Sequence, residues 1–207
     1  MQKLICSIDV ETTGLDCSKH DPIEVAIVPL DYNLKPLKQY NGIPLLPFCM
    51  NIKPLRPQSI GYFEGDKFIV TDHGALNVNK KNIHKLLAEG PPQSAVLDAF
   101  EEYLAKLDNP KVCPLGQNYC FDKGFLMNLF GPLHYEEWFD YNVRDLKSAV
   151  MFLHDRQIQR ADDPTFTKFS LAGIAKTLGV INPNPHSALG DAITTAECYR
   201  ILTCGPA

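Results

Sequence analysis

The stretch S-I-D-V-E-T-T-G at residues 7–14 is the tightest constraint in this chain of 207 residues. The apolar run Leu4-Ile5-Cys6-Ser7-Ile8 predicts a strand over Leu4 to Val10, and that strand delivers Asp9 and Glu11 at its end. Strand side chains two apart share a face, so the two carboxylates point the same way, about 7 Å apart along the chain. Two such charges at 4 Å repel by roughly 4 kcal/mol at an effective dielectric near 20. The plain reading is a solvated strand end. The sharper reading is a divalent-metal site at the end of a central strand.

The rest of the chain supplies the material for a sheet covered by helices. Residues 24–35 read as a second strand, in which Pro29 argues for an edge position or a bulge. Residues 45–54 read as a third strand, closed by Pro54, and 57–74 as a hairpin insertion around Glu64-Gly65-Asp66. A helix is predicted over 94–107 with Ser94 as N-cap, carrying Val96, Leu97, Phe100, Leu104 and Leu107 at helical spacing. A short buried strand at 111–118 leads into a helix over 118–130, where Asn118 reads as an N-cap and Phe121 and Phe125 as core. Further helices fall at 143–156, at 170–179 between Ser170 and Gly179, and at 187–202. Asp145 and His154 read as structural.

Composition narrows the function classes. With 45% hydrophobic and 21% charged residues the chain is an ordinary globular one. Its net charge of −4 argues against a general nucleic-acid binder but permits one that meets phosphate through bound cations. The seven cysteines include no C-x-x-C pair, which disfavours zinc, and read mostly as small core residues in a reducing compartment. The first residues enter a strand at once and no window approaches a membrane span, so a soluble, cytoplasmic protein is expected.

Two further acidic places stand out. Asp122 lies in G-Q-N-Y-C-F-D-K-G-F-L, beside core-facing phenylalanines, where Gly124 permits a close neighbour. Asp in a first helical turn is ordinarily a partner for the helix dipole. H-S-A-L-G-D-A contains His186 and Asp191, which are five residues or about 500° of helical rotation apart and cannot share a face. With Ser187 as the cap, His186 falls just outside the helix and Asp191 about one turn in. That suits a mobile base beside a fixed ligand, although a histidine after a Pro-rich turn is most simply a surface residue. Lys80-Lys81 reads as solvated surface with some capacity to steer a phosphate backbone.

Taken together and in order, these three segments resemble the three exonuclease motifs of the DEDD superfamily. The His-x-x-x-x-Asp spacing is similar to its histidine-bearing branch, the DnaQ-like 3′–5′ exonucleases. The segments 48–57, 75–105 and 168–180 resemble the connecting regions of that family, so the resemblance covers nearly the whole chain. Gln117 departs from the His found there in many members, and 57–74 is longer than usual.

The resemblance implies one exonuclease domain over 1–207 with a ribonuclease-H-like α/β fold, a mixed five-stranded sheet flanked by helices on both faces. It implies that Asp9, Glu11, Asp122 and Asp191 hold two Mg2+ or Mn2+ ions. Asp9 would bridge them, Glu11 and Asp191 would complete the nucleophile-side ion, and Asp122 would act largely through water. His186 is implied as the general base. Thr12, Thr13, Gly14 and Leu15 would contact the terminal nucleotide of a single-stranded DNA or RNA 3′ end, DNA being favoured. A polymerase or other replication partner is compatible with it. The rivals are an RNA-trimming exoribonuclease, a non-catalytic nucleic-acid-binding protein on the same fold and, last, a metal-dependent glycosyltransferase, which accounts for neither Asp122 nor the His186–Asp191 pair.

Overall fold

Lys3–Thr12 forms β1, the middle strand of a five-stranded mixed sheet. The computed structural model describes residues 3–71 and 74–205. After β1 come β2 (Pro22–Pro29), a small ribbon of β3 (Gln39–Tyr40) and β4 (Ile43–Pro44), then β5 (Phe48–Asn51). A hairpin of β6 (Gly61–Glu64) and β7 (Lys67–Val70) precedes α1 (Gly74–Asn79), α2 (Ile83–Glu89) and α3 (Gln93–Ala105). β8 (Lys111–Gly116), α4 (Tyr119–Phe130), α5 (Pro132–Trp138), β9 (Arg144–Asp145), α6 (Leu146–Gln159), α7 (Leu171–Leu178) and α8 (Ala188–Cys204) follow. The sheet order is β5-β2-β1-β8-β9. β1 pairs antiparallel with β2 and parallel with β8, so the expected α/β sheet with helices on both faces is what the chain forms.

Alternation along β1 assigns its two faces. Cys6, Ile8 and Val10 enter a core with Phe100 of α3 and Phe125, Leu126 and Phe130 of α4. Phe100 is its centre, with ring centroids 4.9 to 5.9 Å from those of Phe48, Phe130, Trp138 and Phe139. The opposite face carries Ser7, and beyond it Asp9 and Glu11, toward α8. There Ala188, Ala192 and Ala196, four residues apart, lie on Ala26, Val28 and Leu115. Small side chains let the helix sit close enough for Ser7 Oγ to donate to the Ala192 carbonyl at 2.7 Å.

Several local expectations change. β2 is an interior strand, not an edge. Pro29 ends it opposite Cys6, beyond the last β5 partner at Ile27, so its missing N–H interrupts no ladder. The register slip falls instead between Glu11 and Thr12, where β2 carries Ile23 as an extra residue. α3 begins with Pro92 at the cap position, and Ser94 lies inside its first turn. Asn118 stands at the cap of α4 with φ 67° but makes no side-chain cap bond; Asp145 reaches across to take the Tyr119 N–H at 2.7 Å. Of the cysteines, Cys6, Cys113 and Cys198 are buried, while Cys49, Cys120 and Cys204 are exposed, and all seven are free. Residues 72 and 73, at the end of the 57–74 segment, lie outside the described residues. Among the described residues no helix is long and apolar enough to cross a membrane.

The close seat of α8 can be checked directly. Ala192→Leu forces a larger side chain into a fully buried position and is expected to cost about 1–3 kcal/mol in urea denaturation. An unchanged midpoint would mean that α8 does not rest on the sheet as described.

Candidate metal centre

β1 outruns its parallel neighbour. Its pairing with β8 ends at Ser7 opposite Leu115, yet β1 continues to Thr12. The backbone beyond Ser7 therefore lacks a β8 partner on that side. Asp122, in the first turn of α4, fills part of the gap: its Oδ1 accepts the Val10 N–H at 3.0 Å. An unpaired buried N–H is costly, so this bond fixes the strand end and brings a buried carboxylate next to Asp9.

From the other side α8 brings Asp191. Ser187 caps that helix by accepting the Gly190 N–H at 3.2 Å, and Asp191 lies in its first turn. A Cβ at Gly190 would stand 2.3 Å from the Asn184 carbonyl, so only glycine lets the 182–187 turn fold onto the helix. Asn182 uses that proximity, its Nδ2 donating to Asp191 Oδ1 at 2.5 Å. His186 is exposed, just outside the helix, in the left-handed region with φ 64°. Carboxylate oxygens of Asp9, Glu11 and Asp191 lie within 4.8 Å of one another. Asp122 is outside that trio, with its Oδ1 engaged by the Val10 N–H.

The electrostatics are unfavourable in the way a cation would relieve. Withdrawal from solvent is the largest cause at each acid. Asp9 is held well above the usual carboxylate range by it and then by Asp122, Asp191, Glu11 and Glu24. Glu11 is pushed up to about 7 by burial, Asp191 and Glu24, against the opposing pull of Lys81 and a hydrogen bond from Asn79. Asp122 is pushed up to about 8 by burial although the Val10 N–H opposes it. Burial also raises Asp191, while Asn182 and His186 favour its charged form. Oxygen donors without thiolate suit a hard divalent ion, and the trio can hold one.

Beside Glu11 opens a cavity of about 610 Å³ lined by Thr12, Gly14, Leu15, Val78, Asn79 and Phe121, among others. Leu15 is 85% exposed at its rim. The two threonines are turned inward. Thr12 Oγ1 donates to the Gly14 carbonyl at 2.7 Å, and Thr13 Oγ1 accepts the Asp21 N–H at 3.0 Å. Thr13 is fully buried and does not line the cavity. Phe125 is core, as read; Phe121 is half-buried and packs against that core, its ring 5.0 Å from that of Phe125, while also lining the cavity.

Three residues escaped the sequence reading, and a fourth, Lys81, plays another part than the one read. Asn79 bonds Glu11 and the Thr12 carbonyl, Asn182 bonds Asp191, and Glu24 pairs with Lys81 at 2.6 Å. Lys81 is thus a half-buried ion-pair partner rather than solvated surface. The available signal was Glu24, a single carboxylate inside the apolar run P-I-E-V-A-I-V. Asn182, within N-P-N-P, reads only as a turn.

No family model and no curated protein matches this chain. Solved structures do. Escherichia coli exonuclease I in complex with a dT13 oligonucleotide is 19% identical over 97% of this chain and 41% of that one, with a TM-score of 0.68. The zinc-bound complex of the same enzyme with single-stranded DNA is 18% identical over 99% and 41%, with a TM-score of 0.69. The chain spans about two fifths of the length of these structures. What it shares with them is the fold.

Acids raised in the folded state hold protons that the unfolded chain, with carboxylates near 4, has already released. Their contribution to stability is therefore greatest below about pH 4, falls as pH rises, and levels off above the folded value. For Asp122 that window runs up to about pH 8. In chelator, Asp122→Asn should melt with the wild type at low pH and progressively above it toward pH 9, in calorimetric scans. A gap that shrinks with rising pH would contradict the assignment.

Proposed function

We propose that this chain is a divalent-metal-dependent 3′–5′ exonuclease that shortens single-stranded DNA and releases nucleoside 5′-monophosphates. The observation that carries this reading is the convergence of Asp9, Glu11 and Asp191 at the overhanging end of the central strand. The choice of DNA is supported by the fold-sharing exonuclease I structures, which are complexes with single-stranded DNA. We assign residues 1–207 to one exonuclease domain, with 57–74 as an insertion, and place it in the cytoplasm on account of its free cysteines.

Magnesium or manganese fits the all-carboxylate donor set. When bound, a pair of such ions supplies a lowered pKa for the attacking water and charge stabilisation for the leaving 3′ oxygen. Asp9, Glu11 and Asp191 are the residues that would hold them, with Asp122 acting from behind Asp9. His186 takes the proton of the attacking water, a role suited to an exposed imidazole next to the acids. Its place outside α8 leaves the ring free to swing while Asp191 stays anchored. Leu15, Phe121 and Val78 enclose the terminal nucleotide in the cavity beside Glu11.

The test uses 5′-labelled DNA and RNA oligomers of matched sequence with magnesium, manganese or chelator. A metal-dependent ladder shortening from the 3′ end is expected, absent in Asp191→Asn and slowed about 10²–10⁴-fold in His186→Ala. Faster shortening of RNA would turn the assignment to RNA trimming. Intact oligomers throughout, with folded protein, would overturn the enzyme reading.

A further inference from the structure

β2 places a carboxylate where a strand pair should avoid one. Glu24 is the direct cross-strand partner of Glu11, on the face turned toward α8. Like charges so placed weaken a sheet. Glu24 is nevertheless buried, 7% exposed, and each of its oxygens is engaged within the chain. Oε2 accepts the backbone N–H of Ala188 at 2.8 Å, and Oε1 meets the Lys81 ammonium at 2.6 Å. Ala188 is the first residue of α8, and the first-turn N–H groups of a helix have no partner within it.

Lys81 carries the connection onward. Its side chain is 18% exposed, and its ammonium also donates to Asn51 Oδ1 at 3.1 Å, on the residue of β5 that pairs with Glu24. Its backbone N–H is held by Asn79 Oδ1 at 3.1 Å, and Asn79 Nδ2 donates to the Thr12 carbonyl at 3.1 Å, one residue after Glu11. The set joins β5, β2, the end of β1, the end of α1 and the first turn of α8. Buried ion pairs contribute little to stability compared with apolar replacements of the same volume. Stability alone is therefore a weak reason for this one.

We propose that Glu24 and Lys81 are positioning residues for the acidic centre: the pair pins the N-terminus of α8 to β2 and so sets the spacing of Asp191 and His186 from Asp9 and Glu11. With both oxygens committed, Glu24 is not a ligand itself. Its role in metal uptake is independent of the exonuclease reading; its effect on rate rests on that reading.

The decisive variant is Glu24→Gln combined with Lys81→Met, which leaves the net charge unchanged and keeps an acceptor for the Ala188 N–H while removing the ion pair. Manganese affinity is measured by calorimetry and oligonucleotide shortening as separate kcat and KM, with circular dichroism to establish folding. Positioning predicts about tenfold weaker manganese binding and a fall in kcat larger than any rise in KM. Glu24→Leu with Lys81→Met, which also removes the acceptor for Ala188, should lose more, and Lys81→Arg alone should recover most of the wild-type behaviour. If the leucine variant does not fold, the glutamine variant decides. A folded glutamine variant within about twofold of wild type in both affinity and kcat overturns the proposal. A wild type that binds manganese but shortens no oligonucleotide, with affinity still lost in the variant, overturns the exonuclease reading and leaves the positioning role standing. A wild type that takes up no manganese overturns both.

Discussion

β1 extends past the end of β8, and that overhang is the constraint on which the rest of the molecule turns. Within a sheet each strand N–H finds a carbonyl on its neighbour. Beyond Ser7 the β8 neighbour is gone, and Val10 takes a carboxylate from α4 instead. One substitute hydrogen bond thus ties the sheet to the helix packed behind it and buries Asp122 beside Asp9. The antiparallel pairing with β2 persists to the end on the other side, bringing Glu24 into register with Glu11. α8 can then approach only because three alanines face the sheet and Gly190 admits the preceding turn. Backbone satisfaction, register and small side chains together crowd carboxylates into one place that none of them would occupy alone.

Such crowding is a stored cost. Each acid of the centre is raised by burial first and by its neighbours second, with Lys81, Asn79 and Asn182 giving partial relief. A chain selected for stability alone would replace several of these groups with apolar ones. Their convergence in a cleft is what a binding centre for a cation requires, because an ion there would supply the missing charge. The order of causes matters here. Since burial dominates, moving one carboxylate leaves most of the perturbation on the others.

How much of this was legible depended on distance along the chain. The strand period put Asp9 and Glu11 on one face with no further information, whereas the four-residue spacing of Ala188, Ala192 and Ala196, the face that α8 turns to the sheet, went unread. Pro29 misled because its position in the ladder depends on where β5 stops, a property of a different segment. Ser94 and Asn118 looked like caps by residue type, but Pro92 holds the first place, and Asn118, which does stand at the cap of α4, leaves the Tyr119 N–H to Asp145. α1 and α2, of six and seven residues, are too short to display a helical period. Glu24 was visible as an odd carboxylate in an apolar strand, but its meaning lay in register with Glu11. Lys81 was ordinary until Asn79 and Glu24 were seen on either side of it.

The cavity beside Glu11 carries the same lesson to its chemistry. The hydroxyls of Thr12 and Thr13 and the Thr12 carbonyl are spent inside the chain, so the turn after the acids is a rigid support with few polar groups left to offer. What faces the cavity is Leu15 from that turn, Val78 from α1 and Phe121 from α4, three apolar surfaces on three separate elements. Walls of this kind recognise flatness and size, not a pattern of donors and acceptors, and stacking on them tolerates any base. Polar definition enters at Asn79, which bonds both Glu11 and the strand end, and at Asp16 and His20, which also line the cavity. On the proposed reading, a nucleotide seated here would be graded by shape along its base and by charge at its phosphate.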